Sequence, residues 1–179
     1  MTSAELLLGI VAAGGASAAA YTDWRSRTIP NVLTYGLVSA GLLIGLMLNN
    51  TASHALGLVV GFVPALLLFY MGSIGGGDVK LLGGLGAIVG YPLVVDVLFW
   101  SLALGTLGSL LVVVLSGRFR ELVRGFVLLV YSFVVPGAPK VPPVNDIKIP
   151  LAVAIAGAVL VPLLIPTLRV SPGLKGLLY

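Results

Sequence analysis

Two aspartates in a very apolar chain are the residues best suited to acid–base chemistry. Asp23 opens the segment DWRSRTIPN (residues 23–31), and Asp78 closes the GGGD of the segment GGGDVK (residues 75–80). A carboxylate at membrane depth is energetically costly, so it usually marks a functional site. Two carboxylates brought close together differ in pKa, and such a pair can activate a water molecule. These residues suggest a protease that works inside or at the edge of a membrane.

The composition is that of an integral membrane protein with a single domain, residues 1–179. Of the 179 residues, 59% are hydrophobic and only 9% are charged, and the mean hydropathy is +1.15. A soluble domain is about 25% charged. The net charge is +4, but the ten basic residues are scattered over short loops, which is typical of topology determinants and not of a nucleic-acid surface.

Thiol chemistry and histidine-rich metal sites are excluded by the residue types present. The chain has no Cys, which rules out disulfides and cysteine-based zinc modules, and His54 is its only histidine. We therefore expect no metal and no cofactor.

Six membrane spans are predicted from the apolar runs, given that a helix needs about 20 residues to cross the hydrocarbon core. They cover approximately residues 4–22, 32–48, 54–71, 79–91, 92–115 and 149–168. The start of the chain resembles a signal peptide, but it carries Glu5 and no Lys or Arg before its apolar run. Further spans follow, so we interpret it as the first transmembrane helix. The predicted fold is an all-α, polytopic membrane helix bundle.

Residues 117–148 form an insert between the fifth and sixth spans. It opens with a basic stretch at residues 118–124, continues as the apolar run 126–135 and ends in the Pro-rich loop 136–143. The apolar run is short for a crossing. Its length favours an interfacial or re-entrant segment, with a seventh span as the alternative. We therefore expect residues 117–148 as a whole to form a cytoplasmic or interfacial insert.

Counting spans places both aspartates at the same face of the membrane. Two spans separate Asp23 from Asp78, and an even number of crossings returns the chain to the side it left. The positive-inside rule puts that side, with Arg25, Arg27 and Lys80, in the cytoplasm. Asp96 lies one crossing further on and belongs toward the opposite face.

The residues around the aspartates admit a structural interpretation as well as a functional one. Asp78 alone fits a helix N-cap. Gly75, Gly76 and Gly77 suit either a flexible turn or the close approach of an extended substrate to the backbone. Lys80 is either a lysine that extends to the membrane surface or a site residue. Pairs of glycines four residues apart, at 41/45, 57/61 and 86/90, indicate a tightly packed bundle.

Other acids and the single histidine have ordinary interpretations. Glu121 and Asp146 are expected to be solvated or paired at the surface, and Glu5 to be extracytoplasmic. Pro30 and Asn31 are typical of a turn that opens the second helix. His54, at the start of the third span, is expected to be structural.

In these motifs the chain resembles the type IV prepilin peptidases and archaeal preflagellin (archaellin) peptidases, which are membrane aspartic proteases of the GxGD class. Gly75-Gly76-Gly77-Asp78 matches the GxGD motif. Asp23, followed after five residues by Ile29-Pro30-Asn31, matches the family's other catalytic aspartate. The similarity is clear over about residues 15–90 and loose over the last span.

The resemblance implies an aspartic endopeptidase of the cell membrane with Asp23 and Asp78 as catalytic residues. Gly75, Gly76, Gly77 and Lys80 are the expected substrate-binding residues. The implied substrates and partners are prepilin-like or preflagellin precursors, cut between a short basic leader and a hydrophobic helix at the cytoplasmic face. Membrane lipid is the other expected partner, and nucleic acid is not one. Many bacterial members also N-methylate the mature pilin and carry a cysteine-bearing domain, which this chain lacks, so methyltransferase activity is not expected.

Two other functions compete with this interpretation. A small ion- or proton-coupled transporter could use paired aspartates, but it predicts acids spread along a path through the membrane. The presenilin type shares GxGD but places its other aspartate after Tyr inside a helix, whereas Asp23 follows Thr22. Which aspartate acts as the base is left open by the sequence.

Overall fold

A computed structural model describes residues 3–117, 120, 123, 124 and 151–170, and the description below concerns these residues. They form six α-helices and no strand. The helices are α1 (Ser3–Ser26), α2 (Asn31–Met47), α3 (Thr51–Tyr70), α4 (Gly76–Val89), α5 (Leu93–Leu115) and α6 (Leu151–Leu164), and a 3-10 turn follows at Pro166–Leu168. The all-helical prediction is confirmed for this part of the chain. The apolar run 126–135, the Pro-rich loop 136–143, Glu121 and Asp146 lie outside the described residues.

The chain divides into two compact units. The first consists of residues 1–105 and 150–179, and the second of residues 106–149. Of the second unit the structure describes residues 106–117, 120, 123 and 124. Both aspartate motifs belong to the first unit, and all the contacts given below are made within it. The prediction of one peptidase domain with an insert at 117–148 stays a prediction.

Helix α4 lies at the centre of the first unit and is enclosed by its neighbours. Every residue from Leu81 to Gly90 is buried, and α1, α2, α3 and α6 all contact the helix. Glycines make this close packing possible. A methyl group added at Gly57 would overlap the Gly86 carbonyl oxygen, and one added at Gly41 would overlap the backbone of Ala87. The glycine pairs of the sequence therefore mark close helix contacts, as predicted.

Three of the described helices are long and apolar enough to cross a membrane. They are residues Glu5–Ser26 of α1, Thr51–Tyr70 and Leu93–Leu115, while Asn31–Met47 and Leu151–Leu164 are shorter apolar helices. Large apolar side chains face outward on these helices, as Leu7, Val59 and Leu67 do. Such a surface suits a hydrocarbon environment, because an extended apolar exterior is unusual on a soluble monomer.

The six helices follow the six predicted spans to within about four residues at each end, and the largest differences are at the ends of the first and the last. The last helix ends at Leu164, whereas the predicted span continues to residue 168. Hydropathy predicts that the first span ends at residue 22, whereas α1 continues to Ser26. Hydropathy measures where the apolar run stops, but a helix continues for as long as its backbone hydrogen bonds can be made. The number of membrane crossings stays a prediction, since α4 has only 14 residues.

A second group of charged residues lies at the far end of the unit. Arg169 pairs with Glu5 at 3.0 Å between Nη1 and Oε2, and the backbone N–H of Val170 donates to Asp96 Oδ1 at 2.6 Å. Asp96 follows the C-terminal end of α4, whereas Asp78 lies at its N-terminal end. The 14 residues of α4 separate these two ends by about 20 Å. Asp96 is therefore remote from the two motif aspartates, as the span count predicts.

Candidate active site

The last turn of α1 carries Asp23. The helix ends at Ser26, whose hydroxyl donates to the Thr22 carbonyl at 2.7 Å. Arg27 follows in the left-handed region with φ +52°, and its N–H donates to the Asp23 carbonyl at 2.8 Å. This is a common way for a helix to satisfy its last carbonyls. Asp23 is therefore held on a helix and not in the loop that follows it, and its side chain is half-buried.

The first turn of α4 carries Asp78. Gly75 is the N-cap, with extended backbone angles of φ −81° and ψ 153°. Asp78 lies three residues further on, and its Oδ2 accepts a hydrogen bond from the Gly75 N–H at 3.2 Å. The interpretation of Asp78 as the N-cap itself is therefore wrong, because the N-cap is Gly75 and Asp78 is the third residue of the helix that follows it. An acid in the first turn is still favoured, because free backbone N–H groups point toward it.

The environment of Asp78 raises the pKa of its carboxyl from 3.8 to about 6. Burial is the largest cause, since it penalises the charged form. The hydrogen bond from Gly75 acts in the opposite direction, and the negative charge of Asp23 raises the pKa further. The two carboxylates are therefore close enough to interact, at the same end of the unit. Sequence reasoning predicted this juxtaposition by counting spans.

The two sequence motifs also contact each other through residues next to the aspartates in sequence or in the same motif. A Cβ added at Gly77 would lie 3.3 Å from the Cβ of Ile29, so the side chain of Ile29 packs directly against that glycine. Pro30 is the N-cap of α2, and Asn31 is its first residue. The sequence correctly predicts that these two residues open the second helix. It does not predict that the residue before them contacts the GGGD segment.

Lys80 connects the same two motifs by a hydrogen bond. Its Nζ donates to Asn31 Oδ1 at 2.8 Å, and it lies 5.8 Å from the centre of the Tyr35 ring. A cation at this distance from a ring face is attracted to it. Asn31 and Tyr35 were not among the expected site residues. The only sequence signal for Asn31 was its place in the Ile-Pro-Asn motif, which also fits a simple turn.

The surface beside Asp78 is open on the side of Gly75. Gly75 is exposed, and a Cβ built there would meet only the Asp78 carboxylate, at 3.1 Å. On the next residue, a Cβ at Gly76 would reach the ring of Phe69 at 3.5 Å. The three glycines thus differ in what a side chain there would meet: the Asp78 carboxylate at Gly75, the Phe69 ring at Gly76 and Ile29 at Gly77.

A family model described as the type IV leader peptidase family matches residues 10–110 of the chain. This range contains both aspartate motifs and more than half of the sequence. The chain belongs to this family. No significant match was found among curated proteins or solved structures.

Membership makes the protein a type IV leader peptidase-like protease, and the recognition drawn from the two motifs is confirmed. Family membership and the three long apolar helices together indicate a membrane protein. The family as a whole processes pilin-like precursors. The matched range ends at residue 110, so the segment from 111 onward is not part of this finding.

Proposed function

We propose that this leader peptidase is an aspartic endopeptidase of the GxGD class, in which Asp23 and Asp78 activate a water molecule. The observation that carries the proposal is that the two motifs contact each other at one end of the unit, through Gly77 and Ile29 and through Lys80 and Asn31, with the Asp23 charge near enough to raise the pKa of the Asp78 carboxyl. We further propose a multi-pass protein of the cell membrane with this end facing the cytoplasm. The basic residues Arg25, Arg27 and Lys80 near the site support that orientation.

The chemistry follows from two carboxylates that cannot both ionise at low cost. One aspartate holds a proton while the other, ionised, takes a proton from water as the water attacks the scissile carbonyl carbon. The protonated aspartate donates its hydrogen to the developing oxyanion. When the tetrahedral intermediate collapses, the aspartate that took the water proton gives it to the amide nitrogen, and the C–N bond breaks to release the amine. One hydroxyl of the intermediate returns its proton to the other aspartate as the carbonyl re-forms, so the pair again holds one proton. The raised pKa of the Asp78 carboxyl, about 6, leaves open which aspartate is the base and which is the acid.

The proposed substrate is a pilin-like or archaellin-like precursor with a short basic leader and a hydrophobic helix. The exposed backbone at Gly75 supports an extended peptide lying beside Asp78, since no side chain there blocks its approach. Gly75, Gly76 and Gly77 remain the proposed substrate-contacting residues, whereas Lys80, which the motif also led us to expect in this role, is hydrogen-bonded to Asn31. The junction between leader and helix would then lie at the two aspartates.

The transporter alternative receives no support from this arrangement. A proton or ion path needs polar groups through the membrane depth. Between the two ends, α4 has a continuous run of apolar residues and glycine from Leu81 to Val89, all of them buried.

The test is cleavage of a type IV pilin precursor by the purified protein in detergent. We expect Asp23→Asn and Asp78→Asn each to abolish cleavage while the protein still accumulates in the membrane, because each change removes half of the acid–base pair and preserves side-chain shape. The matched control is Asp96→Asn, the same change at the far end of the unit, which should retain most activity. Wild-type turnover by either Asp23→Asn or Asp78→Asn would refute the assignment.

A further inference from the structure

We propose that the hydrogen bond between Lys80 and Asn31, called the clasp below, holds Asp78 at the correct position relative to Asp23. Lys80 is then a positioning residue. This inference rests on the proposed function. In this role Lys80 holds Asp78 in place through its hydrogen bond to Asn31, and it does not need to contact the substrate.

The clasp connects both sides of Asp78 to one short segment of chain. On one side, Gly77 packs against Ile29. On the other, Lys80 donates to Asn31 at 2.8 Å. Residues 29–31 follow directly from the end of α1, where Asp23 lies. The two aspartates are therefore joined by a short route through Ile29 and Asn31, in addition to the much longer route through α2 and α3.

The short route matters because the chain between the aspartates does not by itself fix their separation. Asp23 lies at the end of α1 and Asp78 at the start of α4, with two complete helices between them. A small rotation or slide of α4 would move its first turn away from α1. Catalysis is sensitive to such displacements, because proton transfer requires the acid, the base and the water at hydrogen-bonding distance.

The contacts of the Lys80 ammonium favour a positioning role over a direct electrostatic one. The group is bonded to a neutral amide oxygen and lies near the face of the Tyr35 ring. Burial, the Gly75 N–H and the Asp23 charge are the causes that shift the pKa of Asp78, and Lys80 is not among them. A hydrogen bond with one charged partner is stronger than a neutral one, which suits it to holding two helices together. The ring of Tyr35, on the same helix as Asn31, adds a second attraction between α2 and the ammonium.

The experiment is a double-mutant cycle on steady-state cleavage of a pilin precursor in detergent, with Lys80→Met, Asn31→Ala and the double variant. If the clasp positions Asp78, each single change should lower kcat about tenfold or more, since it removes a hydrogen bond to a charged group. KM should stay within about twofold of the wild-type value. The double variant should be no slower than the slower single variant, because both changes break the same contact.

A conservative variant separates the clasp from a general need for a cation. Lys80→Arg keeps a donor and should recover most of the kcat lost in Lys80→Met, but only while Asn31 is present. In the Asn31→Ala background, Lys80→Arg should recover no more than the small part of kcat that the attraction to the Tyr35 ring supplies. Ser39→Ala, an exposed change on the same helix as Asn31, is the matched control and should leave kcat and KM unchanged.

Several outcomes would overturn the inference while leaving the proposed function intact. Wild-type kcat in Lys80→Met, or losses that multiply in the double variant, would show that the contact does not position the site. A rise in KM confined to the Lys80 variants would show that Lys80 contacts the substrate instead. The proposed function itself fails on a different result, namely cleavage by Asp78→Asn. Each variant is compared only after it elutes as a monodisperse species. Asn31→Ser, too short to reach Lys80, replaces Asn31→Ala if that variant does not accumulate.

Discussion

Removing the Asp78 charge should stabilise the folded protein near neutral pH while abolishing its activity. The Asp78 carboxyl has a pKa of about 6 in the fold, against an ordinary value of 3.8. Between these two pH values the folded protein keeps a proton that the unfolded chain has released. Stability therefore falls as pH rises through this window, and the loss is complete above about pH 6.

The magnitude follows from the difference between the two pKa values. A difference of about two corresponds to about 3 kcal/mol of unfolding free energy. Asp78→Asn removes this cost because an amide does not ionise, while its Oδ1 can still accept the hydrogen bond from Gly75. We expect the variant to be more stable than the wild type by up to about 3 kcal/mol at about pH 7.5, and to show little gain at about pH 3.5, where the carboxyl is largely protonated in both states.

Thermal unfolding in detergent at the two pH values measures this effect. For a chain of this length, 3 kcal/mol corresponds to a shift of roughly 6 to 12 °C in the unfolding midpoint. Asp146→Asn, the same chemical change in a loop that the sequence predicts to be solvated, is the control and should shift the midpoint at neither pH. An equal gain for Asp78→Asn at both pH values would mean that the amide stabilises by packing. The absence of any gain at about pH 7.5 would mean that ionising Asp78 does not destabilise the folded protein. Either of these two results would refute the reasoning.

Two further predictions concern the surroundings of the aspartates. Gly77→Val should reduce cleavage at least about tenfold, because its Cβ alone would lie 3.3 Å from Ile29 and its methyl groups would push the two motifs apart. The control is Gly36→Val, a change into open space on α2, which should retain activity. Equal activity in both variants would mean that the contact with Ile29 is dispensable. Single cysteines at Ser26 and Ser73 in this Cys-free chain should both be labelled from the cytoplasmic side by a membrane-impermeant maleimide. Labelling from opposite sides would contradict the shared face of the two motifs.

The sequence predicts the parts of the site that depend on topology and on motif. Two intervening apolar runs suffice to place Asp23 and Asp78 at one end, and the structure brings their charges within interacting distance. The sequence does not predict the contacts that depend on how helices are rotated about their axes. Lys80 reaches Asn31 only because those faces of α4 and α2 meet, and hydropathy contains no information on that rotation. The last turn of α1 was missed for a different reason, because hydrogen bonds at the helix end, and not apolar residues, stabilise it.

The enclosure of α4 explains why the candidate site lies where it does. A helix buried from Leu81 to Gly90 leaves no path for a peptide along its sides, because glycine contacts at residues 57 and 86 bring the backbones of α3 and α4 together. Only the first turn of α4 and the exposed N-cap before it, Gly75, remain accessible on this helix. Under the proposed function, a substrate must therefore present its scissile bond at the end of the bundle. That requirement fits a precursor whose cleavage site lies at the junction between a polar leader and a membrane helix, and it accounts for a catalytic acid on the N-terminal turn of the most enclosed helix.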